Sequence, residues 1–70
     1  MDEKISIFVN NEKKQCQLDL SLQAFVDLSN ISQKGIAIAI NETIIQKANW
    51  SSTLLKENDA LLIIQATQGG

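Results

Sequence analysis

The chain has 70 residues, with six lysines, eight acids, no arginine or histidine, and a net charge of -2. A single domain of this size buries only about 60% of its unfolded surface. Its largest basic cluster, Lys13-Lys14, is too small for a nucleic-acid footprint. The apolar runs at 36–40 and 60–64 fall far short of the ~20 residues of a membrane span. With no histidine and only Cys16, the chain alone cannot build a tetrahedral zinc site or a Ser-His or Cys-His nucleophile pair. Its only internal glycine is Gly35, so no phosphate-cradling loop is present. The expectation is no metal, no bound cofactor, and neither nucleic acid nor membrane as partner. A lone cysteine excludes an intrachain disulfide and fits a reducing cytoplasm. The start, Met1-Asp2-Glu3-Lys4, does not resemble a secretory signal.

Ile5, Ile7 and Val9 alternate with Ser6 and Phe8, which predicts a first strand. Asn10-Asn11 is a turn signal, because Asn tolerates left-handed backbone. Residues 13–18 alternate less cleanly, with Cys16 and Leu18 on one face, and complete an N-terminal hairpin. Ser21 is a good helix N-cap, with Asp19 as a second candidate. Leu22, Phe25, Val26 and Ser29 follow helical spacing, and Leu28 widens the stripe. The result is a helix of roughly nine residues, too short to persist unless it packs on a sheet. Asn30 ends it, and 32–35 form the exit loop.

The Ile/Ala alternation of 36–40 predicts a strand with large residues on one face and small ones on the other, stopped at Asn41-Glu42. Residues 43–46 form a short strand with Ile44 and Ile45. Residues 50–55 read as a helical turn capped by a hydroxyl, and 56–59 as a polar turn in which Asp59 bonds nearby backbone. The last strand, 60–65, is apolar on both faces and therefore central in its sheet. Short connections favour antiparallel pairs, while the crossing helix lets the first and last strands lie side by side. The order predicts an α+β fold, the β-grasp or ubiquitin-like mixed sheet packed on one main helix. It would occupy residues 1–65, with 66–70 a flexible tail ending in Gly69-Gly70.

A single helix covers one face of such a sheet. Ile5, Ile7, Val9, Ile38, Ile40, Leu61 and Ile63 are expected beneath it with Phe25. Phe8, Ala37, Ala39, Leu62 and Ile64 then lie on the open face, and an exposed apolar patch of that kind marks a partner interface. The diglycine adds a second feature. Glycine has no Cβ to stop backbone entering a narrow cleft, so Gly69-Gly70 suits chemistry on the terminal carboxylate inside another protein. Cys16 reads as a small buried hydrophobe, Trp50 as packing over a core edge, and Lys13-Lys14 as a solvated face.

The segment 36–41, then Ile44-Ile45, Trp50, Asp59 and the closing Gly69-Gly70, resembles the ThiS sulfur carriers of thiamine biosynthesis, in the ubiquitin-like, MoaD-like superfamily. The pattern runs over almost the whole chain. Two positions depart from it. Gln46-Lys47 stands where similar proteins often carry Pro and a basic residue, and Asn58 stands where Gly is usual before the aspartate. The resemblance implies a carrier without catalysis of its own. An ATP-using, ThiF-like adenylyltransferase would adenylate Gly70, a sulfur-donating enzyme would convert it to a thiocarboxylate, and thiazole synthase would receive the sulfur. Rival readings share the tail: a small subunit of molybdopterin synthase, and a ubiquitin-like modifier joined to lysines through Gly70. A plain binding module with inert glycines is the remaining one.

Overall fold

A computed structural model of the chain describes residues 3–31 and 34–65. The elements are β1 (Lys4–Val9), β2 (Glu12–Gln17), α1 (Leu22–Leu28), β3 (Ile36–Ile40), β4 (Thr43–Ile45) and β5 (Ala60–Gln65). A 3₁₀ segment, Lys47–Ser52, lies between β4 and β5. The five strands form one sheet in the order β2-β1-β5-β3-β4. β5 is central, as its two apolar faces imply. It runs parallel to β1 and antiparallel to β3. This mixed sheet carrying one main helix is the β-grasp fold.

Two hairpins of the same kind frame the sheet. Val9 faces Glu12 across Asn10-Asn11, and Ile40 faces Thr43 across Asn41-Glu42. All four turn residues have positive φ: 50° and 72° in the first turn, and again 50° and 72° in the second. Two-residue loops with positive φ throughout match the right-handed twist of the strands they join. Asn accepts that backbone readily. Glu42 does not, and it carries a cost of about 1 kcal/mol for a side chain in the left-handed region.

The hairpin registers place Ile5, Ile7 and Val9 on one face with Cys16, and Ile38 and Leu61 on the same side of the sheet. All six are buried. Leu22, Phe25 and Val26 of α1 close over them, while Ile40 and Ile63 pack partly buried at the margin. Ser21 caps α1, its Oγ accepting the Ala24 N–H at 3.1 Å. The second candidate cap, Asp19, instead sits at φ 63° in the turn after β2.

Several local expectations need correction. The helix has seven residues rather than nine: Ser29 closes it with its N–H on the Phe25 and Val26 carbonyls, and Asn30 turns left-handed at φ 58°. Leu28 therefore does not widen the buried stripe and is 76% exposed. Leu18 does not share a strand face with Cys16, because β2 ends at Gln17 and a turn returns the Leu20 N–H to the Gln17 carbonyl at 3.2 Å.

The helical turn begins at Lys47, not Trp50, and no hydroxyl caps its start. The hydroxyls act at its end, where Ser52 and Thr53 both donate to the Asn49 carbonyl. Trp50 is not at the core edge but within it, 1% exposed, with its Nε1–H donating to the Ile45 carbonyl at 3.0 Å. That bond satisfies the polar end of a large apolar ring, the usual condition for burying it.

Candidate functional site

The face away from α1 is assembled by register alone. Phe8 lies beside Ala60 on β5, Leu62 faces Ala39, and Ile64 faces Ala37. Ala39 in turn faces Ile44 of β4. Paired residues project from the same side of a sheet, so Phe8, Ala37, Ala39, Ile44, Leu62 and Ile64 share the uncovered surface. The large members are open to solvent: Leu62 is 50% exposed and Ile64 44%. Phe8 is exposed as well.

The two alanines lie on this face as expected but are less open than their neighbours. Ala39 is only 6% exposed and Ala37 is half-buried. Short side chains between taller neighbours form a floor, and Phe8, Leu62 and Ile64 project from it. Ile44, at 63% exposure, is a further apolar residue of this face that sequence reasoning missed. The signal was available: a two-residue turn at Asn41-Glu42 fixes which of Ile44 and Ile45 points outward.

At one end the face dips into a pocket of about 510 Å³ lined by Phe8, Ala39 and Leu62, with Asn10, Asn41 and Glu42 of the two turns at its rim. Glu42 is exposed there, and Lys13 lies beside Phe8 on the far strand. The rim is held by asparagine side chains. Asn41 Nδ2 donates to Asp59 Oδ1 at 3.0 Å, and its Oδ1 accepts the Ala60 N–H at 3.1 Å. Asp59 Oδ2 also accepts the Lys56 N–H at 2.8 Å, the side chain-to-backbone bond expected for that turn. Asn58, in the position where glycine is usual, has φ 69°.

Among the described residues no group of three or more His, Cys, Asp or Glu could hold a metal ion. Cys16 is buried and free, and burial pushes its thiol pKa up, with the charges of Asp59 and Glu57 adding to the shift. A thiol held protonated is a poor nucleophile. Among the described residues no helix is long and apolar enough to cross a membrane. Gly69, Gly70 and the rest of the expected tail, 66–70, lie outside the described residues.

The fold and the open apolar face define a small β-grasp protein with a diglycine ending. The profile of the ThiS family matches residues 2–70, and the chain belongs to that family. It is 33% identical over 70 residues to the protein ycf40 of Porphyra purpurea, covering 100% of this chain and 99% of that one. It is 26% identical over 66 residues to the sulfur carrier protein ThiS of Escherichia coli, covering 94% and 100% of the two chains. The crystal structure of the thiamine biosynthesis protein ThiS from Geobacter metallireducens superposes with a TM-score of 0.83 at 16% identity, over 94% of this chain and 100% of that one. At that identity the superposition speaks for the fold.

Proposed function

We propose that this chain is a sulfur carrier whose reactive group is the α-carboxylate of Gly70. The observation that carries the reading is the family match, which runs through the last residue. A carboxylate with a pKa near ~3.5 is an anion at neutral pH and a poor electrophile, so it needs activation. In a ThiF-like adenylyltransferase, a carboxylate oxygen of Gly70 attacks the α-phosphate of ATP and expels pyrophosphate, leaving an acyl-adenylate. A sulfur nucleophile at the oxidation level of sulfide, supplied through a sulfur-donating enzyme, then attacks the acyl carbon and expels AMP. The product is a thiocarboxylate at Gly70, which thiazole synthase accepts as the sulfur source for thiamine. ATP is the partner's substrate, and the carrier contributes the carboxylate and the surface that presents it.

Presentation has two parts. The open face, with Phe8, Leu62 and Ile64 projecting over the Ala37 and Ala39 floor, is the docking surface for the adenylating enzyme. From 66 to 70 the tail reaches at most ~18 Å, enough to thread a terminus into a buried nucleotide site. Gly69 and Gly70 keep the passage free of side-chain bulk.

The test is intact-mass measurement after incubation with ATP, the adenylyltransferase and a sulfur source. The expected product replaces one oxygen by sulfur on the C-terminal peptide. A chain whose mass stays unchanged while its partner turns over another carrier defeats the proposal.

A further inference from the structure

Among the described residues, one stretch of the sheet has no strand beside it. β1 and β5 pair only through Phe8 with Ala60 and Val9 with Leu61, because β1 then turns away at Asn10-Asn11. Asn10 extends the ladder by one rung. Its N–H donates to the Leu61 carbonyl at 2.9 Å, and its Oδ1 stands in for a strand carbonyl by accepting the Ile63 N–H at 2.9 Å. On the other side of β5, the Asn41 N–H donates to the Ala60 carbonyl at 2.8 Å. Strand residues alternate in the side to which they direct backbone groups. Ala60, Leu62 and Ile64 therefore serve β3, and Leu61, Ile63 and Gln65 face the β1 side. Among the described residues no strand lies beside the Ile63 carbonyl and the Gln65 N–H. Both are at the root of the tail.

We propose that this edge is paired, in parallel, by an extended segment of the enzyme that activates Gly70. In a parallel ladder one residue sits between i and i+2 of its neighbour, donating to the carbonyl of the first and accepting from the N–H of the second. A single extended residue of the partner thus satisfies both the Ile63 carbonyl and the Gln65 N–H. It continues the rung that Asn10 makes with Leu61 and Ile63. An antiparallel partner opposite Ile63 needs that residue's N–H as well as its carbonyl, and Asn10 already holds the N–H.

The same occupied N–H argues against a second copy of this chain. A symmetric dimer that pairs one edge with itself uses the same residues on both sides and runs antiparallel. The tail argues for the enzyme. This step rests on the function proposed above, in which Gly70 sits in the activating site. Five residues follow Gln65, and their reach of at most ~18 Å brings the enzyme's surface alongside this edge. Strand addition supplies main-chain hydrogen bonds and asks nothing of the Gln65 side chain.

Gln65→Pro tests the edge directly, because it deletes an N–H that does not serve β3, and proline is tolerated on an unpaired edge. Gln65→Ala is the control for the side chain. The expected result is a melting temperature like the parent's for both variants. Affinity for the adenylyltransferase from the same organism should fall at least ~10-fold for the proline variant and stay unchanged for the alanine variant.

Equal affinity of the proline variant and the parent overturns the proposal, and so does an equal loss in both variants. If Gln65→Pro does not fold, amide exchange on the unmodified chain decides: adding the enzyme slows exchange at Gln65 at least ~10-fold, or the edge is not paired. A parent chain that is never adenylated removes the carboxylate reading and the edge together. Adenylation of the parent with full capture of the proline variant removes the edge alone.

Discussion

Asn10 and Asn41 hold equivalent positions in two hairpins, both at φ 50°, and each turns its side-chain oxygen onto the central strand. Asn10 takes the Ile63 N–H at 2.9 Å and Asn41 takes the Ala60 N–H at 3.1 Å. One residue type thus makes the turn and fastens β5 on both flanks. Glycine keeps the turn but loses the acceptor, so Asn10→Gly should cost about 1 kcal/mol in urea unfolding. Asn10→Asp, which keeps an acceptor and tolerates the backbone, should stay near the parent. Asn41→Gly should cost somewhat more, because its Nδ2 bond to Asp59 is lost as well, and the two losses should add, since the bonds sit on opposite sides of β5. Faster amide exchange at Ile63 in Asn10→Gly alone would separate the lost bond from a general loosening.

The proposed docking face makes a prediction of a different kind. Ile64→Asp places a charge where the side chain is 44% exposed, so the fold should survive within about 1 kcal/mol, as surface changes usually allow. Capture by the adenylyltransferase should fall at least ~10-fold, the loss of a buried apolar contact and the burial of a charge. Ile44→Asp checks the residue that sequence reasoning overlooked, and it should weaken capture in the same direction. Ile38→Ala, beneath the helix at 0% exposure, provides the contrast: it should lose ~2–5 kcal/mol of stability. An Ile64→Asp variant with an unchanged binding constant would remove this face from the docking surface.

Much of this architecture was legible because single residues answered single questions. Leu61 to Ile64 are apolar on both faces, in keeping with the central place of β5, one face beneath α1 and the other open, and Ser21 supplies the oxygen that α1 needs at its start. Asp59 and Asn58 declared a turn by their own side-chain and backbone preferences. What was not legible depended on contacts between distant segments. Leu28 has the spacing of a core residue, but Ser29 and Asn30 end the helix before it can matter. Lys47–Ser52 has no period that announces a 3₁₀ segment, and the fold of that segment is what turns Trp50 into the core, with its N–H on the Ile45 carbonyl. The burial of Ala39 on an otherwise open face depends on its taller neighbours Leu62 and Ile44 on the flanking strands. The Asn10 bond to Ile63 spans 53 positions and has no local signature.

The site of the absent proline can be read from its backbone. Gln46 sits at φ -60° and ψ 140°, values that proline adopts without strain. Its neighbour Ile45 ends β4 in extended backbone, which suits a residue before proline. Gln46→Pro should therefore stabilise the chain by about 0.4–1 kcal/mol, by restricting the unfolded ensemble. Glu42→Gly should also stabilise, by somewhat less than the ~1 kcal/mol of left-handed strain it relieves, because glycine adds unfolded-state entropy. Urea midpoints of the two single variants check both signs, and destabilisation by Gln46→Pro would mean that its N–H has a partner in the folded chain.

Cys16 gives the pH dependence. Burial raises its folded-state pKa, and the nearby charges of Asp59 and Glu57 raise it further. The unfolded thiol releases its proton near ~8.5, while the folded one still holds it. Above that pH the unfolded chain binds fewer protons than the folded chain, so stability falls as pH rises. The thiol's contribution is fully present below ~8.5 and is lost as pH climbs through the raised folded value. Cys16→Ala should cost about 1 kcal/mol at pH 7, as a small cavity does, and should flatten the alkaline decline. In the same variant Gly70 should still gain sulfur in the intact-mass assay. A thiol buried on the strand beside Ile5 has no route to the reaction, so loss of sulfur loading in a folded Cys16→Ala chain would move the acceptor from the terminus to the core.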